Sequence, residues 1–215
     1  MATGFVRPAR PADASEIARI QLATWRTAYR RLLPRGVLAE LDEAWMAEQW
    51  RAAIEEPPSS RHHIMIAIEQ AGPPPDEPDA EADAEADAEP AVRSYVVGFV
   101  ATGPADEAAL APEGKPLPET TAAITDLLVE PRWGRRGHGS RLLAAAVAGW
   151  HTDGFDTAVA WAYDGDPATR AFLASAGWEP DGATRALDVD DLLVDQFRLH
   201  VSLDDVDVGV EPTGA

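Results

Sequence analysis

The sequence predicts an α/β fold, a mixed but mostly antiparallel central sheet flanked by helices, and three observations predict it. Runs of strand composition and stretches of helical period follow one another in the order β-α-α-β-β-β-α-β-α-β-β. Two consecutive strand-like runs flank an acidic stretch and read as one hairpin with an expanded tip. Further on, a strand enters a helix through a turn that contains Gly134, Gly137 and Gly139. The 215 residues, 46% of them hydrophobic, suffice for a sizeable core in one domain.

The elements follow in chain order. Phe5, Val6 and Arg7 form a short first strand. Asp13 and Glu16 stand at capping-box spacing and open a helix to about residue 28, with Ile17, Ile20 and Trp25 on its buried face. After Leu33 and Pro34 a second helix is expected over 37–54. Leu38, Leu41, Trp45 and Ile54 recur there at helical spacing, and Trp45 and Trp50 are assigned to the core. Strand runs occupy 63–69 and 95–101.

Between those runs, residues 72–91 are expected to be a disordered acidic insertion. The stretch is rich in proline, then alternates alanine with acid, and has no aromatic or branched apolar residue to bury. Residues 103–119 form a second loose stretch. A strand over 122–129 leads through the glycine turn to a helix over 139–150, with Leu143, Val147 and Trp150 on one stripe. A strand over 157–163 follows, then a helix over 167–176 with Pro167 in its first turn. Leu187 and the run 197–201 mark two closing strands. Residues 1–203 thus read as one domain and 204–215 as a flexible acidic tail.

Charge and composition exclude several classes. The net charge is −19, and residues 76–89 carry eight acids and no base. A nucleic-acid partner demands a basic footprint, which argues against one. No apolar run approaches the roughly 18 residues of a membrane span, and the N-terminus lacks an apolar signal segment. Without cysteine there is no disulfide, thiolate nucleophile or Cys-ligated zinc, and the only adjacent histidines are His62 and His63. No metal is expected, and the cytoplasm is the expected compartment. The acidic balance suits solubility, or a cationic small molecule.

Chemistry concentrates in the glycine turn. Glycines let the chain bend sharply and let a ligand approach backbone N–H groups closely. The first turn of the helix adds unpaired donors and a positive dipole end. With Arg135 and Arg136 beside it, the segment reads as an anion cradle. It lacks the Gly-Lys-Ser/Thr of a P-loop, and it lies past the middle of the chain, unlike a dinucleotide fingerprint.

This segment resembles the pyrophosphate loop of the GNAT N-acetyltransferase superfamily, Arg/Gln-x-x-Gly-x-Gly/Ala. Gly137 and Gly139 stand at its two small positions, and Ser140-Arg-Leu-Leu143 continues as members do. The resemblance extends over nearly the whole chain. Val6-Arg-Pro-Ala with Asp13 looks like the opening strand and helix, and Trp25, Tyr29, Leu33 and Pro34 are similar to a bacterial subgroup. The stretch from Ala160 to Asp166, Arg170-Ala-Phe172, Gly177-Trp178 and Asp181-Gly182 match the fifth strand, the next helix and a Gly-aromatic step. Only the acidic insertion and the tail fall outside.

The resemblance implies a GNAT-like fold and an N-acetyltransferase. It would move an acetyl or short acyl group from acetyl-CoA to a small-molecule or peptide amine, by direct attack in a ternary complex. The backbone of Leu127, Leu128 and Val129 would pair with the pantetheine arm. Arg135, Arg136, Gly137, His138, Gly139 and Ser140 would hold the diphosphate, with Asp166 and Phe172 also on the cofactor side. Homodimers are frequent in the superfamily. Three positions depart from its pattern: Gly134 replaces the first Arg/Gln, Asp166 an asparagine, and Leu173 the tyrosine that serves as general acid.

The glutamate base of some members falls at Ala123. Asp126 is near, although plain strand alternation aims it at the opposite face, where it would be a solvent-facing acid. Asp126 and Tyr163 are the catalytic candidates, with packing the alternative for Tyr163. Trp25, Tyr29, His63 and Trp161 are the candidates for the acceptor pocket, where aromatic faces would favour a cation. A catalytically idle acyl-CoA-binding module is the competing reading, and a structural partner protein comes last.

Overall fold

The computed structural model describes residues 3–71, 93–106, 109 and 116–205. The expected insertion, and the tail beyond residue 205, lie outside them. The described elements are β1 (Thr3–Pro8), α1 (Ala14–Ala28), α2 (Arg35–Glu40), α3 (Glu43–Glu55), β2 (His63–Ala71), β3 (Arg93–Pro104), β4 (Thr121–Val129), α4 (His138–Thr152), β5 (Thr157–Tyr163), α5 (Pro167–Ser175), β6 (Glu179–Val189) and β7 (Leu192–Ser202). Among them no helix is long and apolar enough to cross a membrane.

Seven strands form one sheet in the order β1-β2-β3-β4-β5-β7-β6. Every neighbouring pair is antiparallel except β4 and β5, which are parallel. Helices cover both faces, as the two apolar faces of such a sheet require. On one, Leu142, Ala146, Val147 and Trp150 of α4 pack against Val97, Val100, Ala122, Ala158 and Leu199. On the other, Ile17 and Ile20 of α1 meet Ile66, Ile68, Phe99 and Leu128.

Two helix expectations are corrected. The helix expected over 37–54 is broken into α2 and α3. Leu41 is extended, and the Asp42 carboxylate accepts the backbone N–H groups of Ala44 and Trp45, starting a new helix there. The break resets the helical phase. Met46 and Ala47 are the buried residues of α3, and Trp45 turns outward at 61% exposure instead of joining the core. Trp50 does pack inward, edge-on to Phe99.

Asp13 precedes α1 as expected but does not cap it. Its carboxylate instead takes a two-pronged hydrogen bond from the Arg7 guanidinium, at 2.7 and 2.8 Å, and the Arg10 backbone N–H. Burial pushes this carboxyl up, but these bonds outweigh it and leave Asp13 below the usual carboxylate range.

Two irregularities position the site. In the β3–β4 ladder Ala101 faces Asp126 and Thr102 faces Ile124, so Thr125 is an extra residue, a β-bulge. A bulge reverses the alternation downstream. Ile124 and Leu127 therefore both face α4's side, while Leu128 and Asp126 face α1. Asp126 shares the face of Ala123, contrary to the plain alternation read from sequence. Secondly, β4 and β5 pair only from Thr121↔Thr157 to Ile124↔Ala160. Beyond that point β4 keeps β3, β5 keeps β7, and a gap opens between them.

Candidate active site

A cavity of about 230 Å³ occupies the gap between the parting strands. Trp25 and Tyr29, from the last turn of α1, line it together with Asp126, Trp161, Tyr163 and Leu173. The bulge turns Asp126 into this cavity rather than out to solvent. Burial pushes its carboxyl up to about 7, against the pull of the Gln21 side chain, whose Nε2 lies 3.4 Å from Oδ1.

The rings of Tyr29 and Tyr163 meet edge to face at 5.1 Å. Burial, then the Asp166 carboxylate and the neighbouring tyrosine and Asp126, raises the Tyr29 hydroxyl pKa; burial and Asp126 raise that of Tyr163. Both hydroxyls therefore stay protonated at neutral pH. Asp166, expected on the cofactor side, is engaged as the cap of α5. It accepts the N–H groups of Ala168 and Thr169 at 3.1 Å and the Thr169 hydroxyl at 2.7 Å. Trp161 lies under two guanidinium groups, Arg185 at 4.3 Å and Arg198 at 5.7 Å from its ring centre.

His63 is not brought to this cavity. Its Nε2 meets the Asp153 carboxylate at 2.7 Å, just past the end of α4. Arg185 and Gln196 also line the cavity, and sequence reasoning missed them because their placement depends on how β6 and β7 pair. Gln21 was also missed, yet it left a signal: a polar residue beside Ile17 and Ile20 on the buried face of α1.

The glycine turn lies at the end of the same gap. Gly137 is the N-cap of α4 with φ +79°, and no side chain caps this helix. The ladder of α4 begins with Arg141 N–H on the Gly137 carbonyl, which leaves the first-turn amides His138, Gly139 and Ser140 pointing outward. Arg135 also lies in the left-handed region, at φ +62°, and Arg136 stacks 4.8 Å over the Trp133 ring. A Cβ on Gly139 would sit 3.4 Å from the Phe172 ring and 3.9 Å from Val129, so the turn, α5 and β4 converge here.

His138 contributes only its backbone to this turn. Its imidazole is buried between Glu69, 3.4 Å from Nε2, and Arg141, 3.1 Å from Nδ1, and burial lowers its pKa.

The edge of β4 beyond the bulge faces the gap with alternate amides. Glu130 N–H donates to the Val97 carbonyl, so the alternation of an antiparallel ladder sends the Leu128 amide to β3 as well. The amides of Leu127 and Val129 are left toward the gap. Leu128, expected to pair with a ligand alongside them, is committed within the sheet. An extended ligand with an anionic end fits these donors: two strand amides, then an uncapped helix start flanked by guanidinium groups.

A family model described as the acetyltransferase (GNAT) family matches residues 41–178. No curated protein matches the sequence. Solved structures with this fold include an N-acetyltransferase from Staphylococcus aureus Mu50, at 15% identity over 94% of this chain and 99% of that one, with a TM-score of 0.59. The PaiA N-acetyltransferase of Thermoplasma acidophilum, in complex with coenzyme A, is 13% identical over 93% and 99%, with a TM-score of 0.60. The ribosomal-protein-alanine N-acetyltransferase of Brucella melitensis is 15% identical over 92% and 99%, with a TM-score of 0.59. At these identities the likeness is one of fold.

Proposed function

The chain belongs to the GNAT acetyltransferase family, and from that premise we propose that it moves an acetyl or short acyl group from acyl-CoA to an amine by direct attack in a ternary complex. The observation that carries this reading is the uncapped start of α4 adjoining the gap-facing amides of Leu127 and Val129. The amides of His138, Gly139 and Ser140, with the charges of Arg135 and Arg136, hold the diphosphate. The Leu127 and Val129 backbone lies along the pantetheine arm, and Phe172 and Gly139 close that side. Bound there, the thioester supplies an acyl carbon to which the amine nitrogen bonds as the C–S bond breaks.

The chain's own groups then manage protons and charge. Asp126, at about 7, accepts the amine's proton near neutral pH. A gap-facing β4 amide polarises the carbonyl. Tyr163, kept protonated by burial and Asp126, donates to the leaving thiolate in place of the family tyrosine that Leu173 replaces. Trp25, Tyr29 and Trp161 wall the acceptor. Holding the partners together supplies up to about 7–11 kcal/mol of the barrier reduction.

The test is release of free CoA from acetyl-CoA across a panel of amines, with calorimetry of acetyl-CoA on Gly137→Asp. The variant puts a Cβ 3.3 Å from Arg141 and a negative charge into the cradle, and binding should fall by more than 100-fold. Unchanged affinity would defeat the cradle. Leu173, 2% exposed and without a proton to give, is what favours the second reading, an idle acyl-CoA-binding module. Tight binding with no CoA release on any amine would select it.

A further inference from the structure

Gln21 on α1 reaches a polar group on each of two other elements, α3 and β4. The indole Nε1 of Trp50 on α3 donates to Gln21 Oε1 at 2.8 Å. An indole nitrogen can only donate, so the Gln21 amide must turn its oxygen toward α3 and its NH2 the other way. That NH2 meets the Asp126 carboxylate across the helix–sheet interface. Gln21 is 7% exposed among Ile17, Ile20 and Leu22, where an apolar side chain would pack without leaving polar atoms to satisfy. Its polarity serves something other than packing.

Asp126 has ionisable neighbours on every side of the cavity. Tyr29 comes from the end of α1, Tyr163 from β5, Asp166 from the start of α5, Arg185 from β6 and Asp106 from the chain after β3. Two of these are acids, and burial disfavours the charged form of Asp126 itself. On the α1 side, the amide of Gln21 is the group that donates to the carboxylate. We propose that Gln21, its amide orientation locked by the Trp50 indole, is a positioning residue that holds the Asp126 carboxylate in place and favours its charged form. The proposal rests on the reading of Asp126 as the base.

The experiment is the pH profile of kcat/KM for the full chain with an amine found in the panel. An NMR titration of the 13C-labelled Asp126 carboxyl accompanies it and needs no turnover. In Gln21→Leu the acid limb and the NMR midpoint should both move up by about one pH unit. Gln21→Glu should move them further, because a second carboxylate replaces the donor. Trp50→Phe keeps an aromatic ring on Phe99 but frees the amide to flip, and should move them the same way. A limb and midpoint that stay in place in all three variants, while Asp126→Asn removes the limb, would overturn the role of Gln21 alone. A limb that survives in Asp126→Asn would overturn the base itself, and the role of Gln21 with it.

Discussion

Arg135 holds its backbone at φ +62°, a conformation that costs a non-glycine residue about 1 kcal/mol. The same residue places a guanidinium beside an uncapped helix start. Arg135→Gly separates the two effects. The variant should be more stable by about 0.5–1 kcal/mol in denaturant unfolding and should bind acetyl-CoA more weakly in calorimetry.

Asp126 carries a linked prediction. Its folded pKa, about 7, lies above the ordinary carboxylate value. The unfolded chain therefore releases this proton earlier, and the contribution of Asp126 to stability falls as pH rises from about 4 to 7, then levels off. Asp126→Asn should lose kcat/KM by about 100-fold or more. It should also be more stable than wild type at pH 8, with no such gain at pH 4, as read by urea unfolding at the two pH values.

At the level of elements, most boundaries were legible because hydrophobic period and capping chemistry are local. β5 fell on the expected residues, and α4 and α5 within two of theirs. What escaped was non-local. Nothing in the residues around Thr125 marks a bulge, which exists only in the pairing with β3, so the face of Asp126 was misread. The split of α2 from α3 was written in Asp42, but the stripe of Leu38, Leu41 and Trp45 continued smoothly across it. Asp166 was seen as a departure from the family pattern, whereas its work as an α5 cap depends on a turn that only the fold displays. Asp166→Ala should cost about 1 kcal/mol in urea unfolding, and Asp166→Asn should restore most of it.

Across the whole molecule, the chain carries a net charge of −19, while the substrate proposed for it is anionic. The guanidinium groups of Arg132, Arg135 and Arg136 are local exceptions beside the α4 turn. The β2–β3 ladder is closed at Ala71↔Arg93, so the two strands are paired up to the point where the acidic segment begins. Deletion of residues 76–89 should therefore leave the melting temperature within about 2 °C, since loop length enters stability only logarithmically. At low salt it should speed acetyl-CoA association, read by stopped-flow, and the difference should vanish as salt is raised.

The parting of β4 from β5 after four paired residues divides the molecule's labour by lineage of residue. The polar groups proposed to hold the donor come from one contiguous cassette, residues 127–140, with Phe172 of α5 closing its side. The opposite bank is assembled from three distant places: the end of α1, the tip of β5 and the β6–β7 ribbon. On the proposed reading, drift on that bank retailors which amine enters without loosening the hold on the acyl carrier. The proposed donor site is thus readable in the primary chain, while the cavity proposed for the acceptor is encoded in how far-apart segments meet.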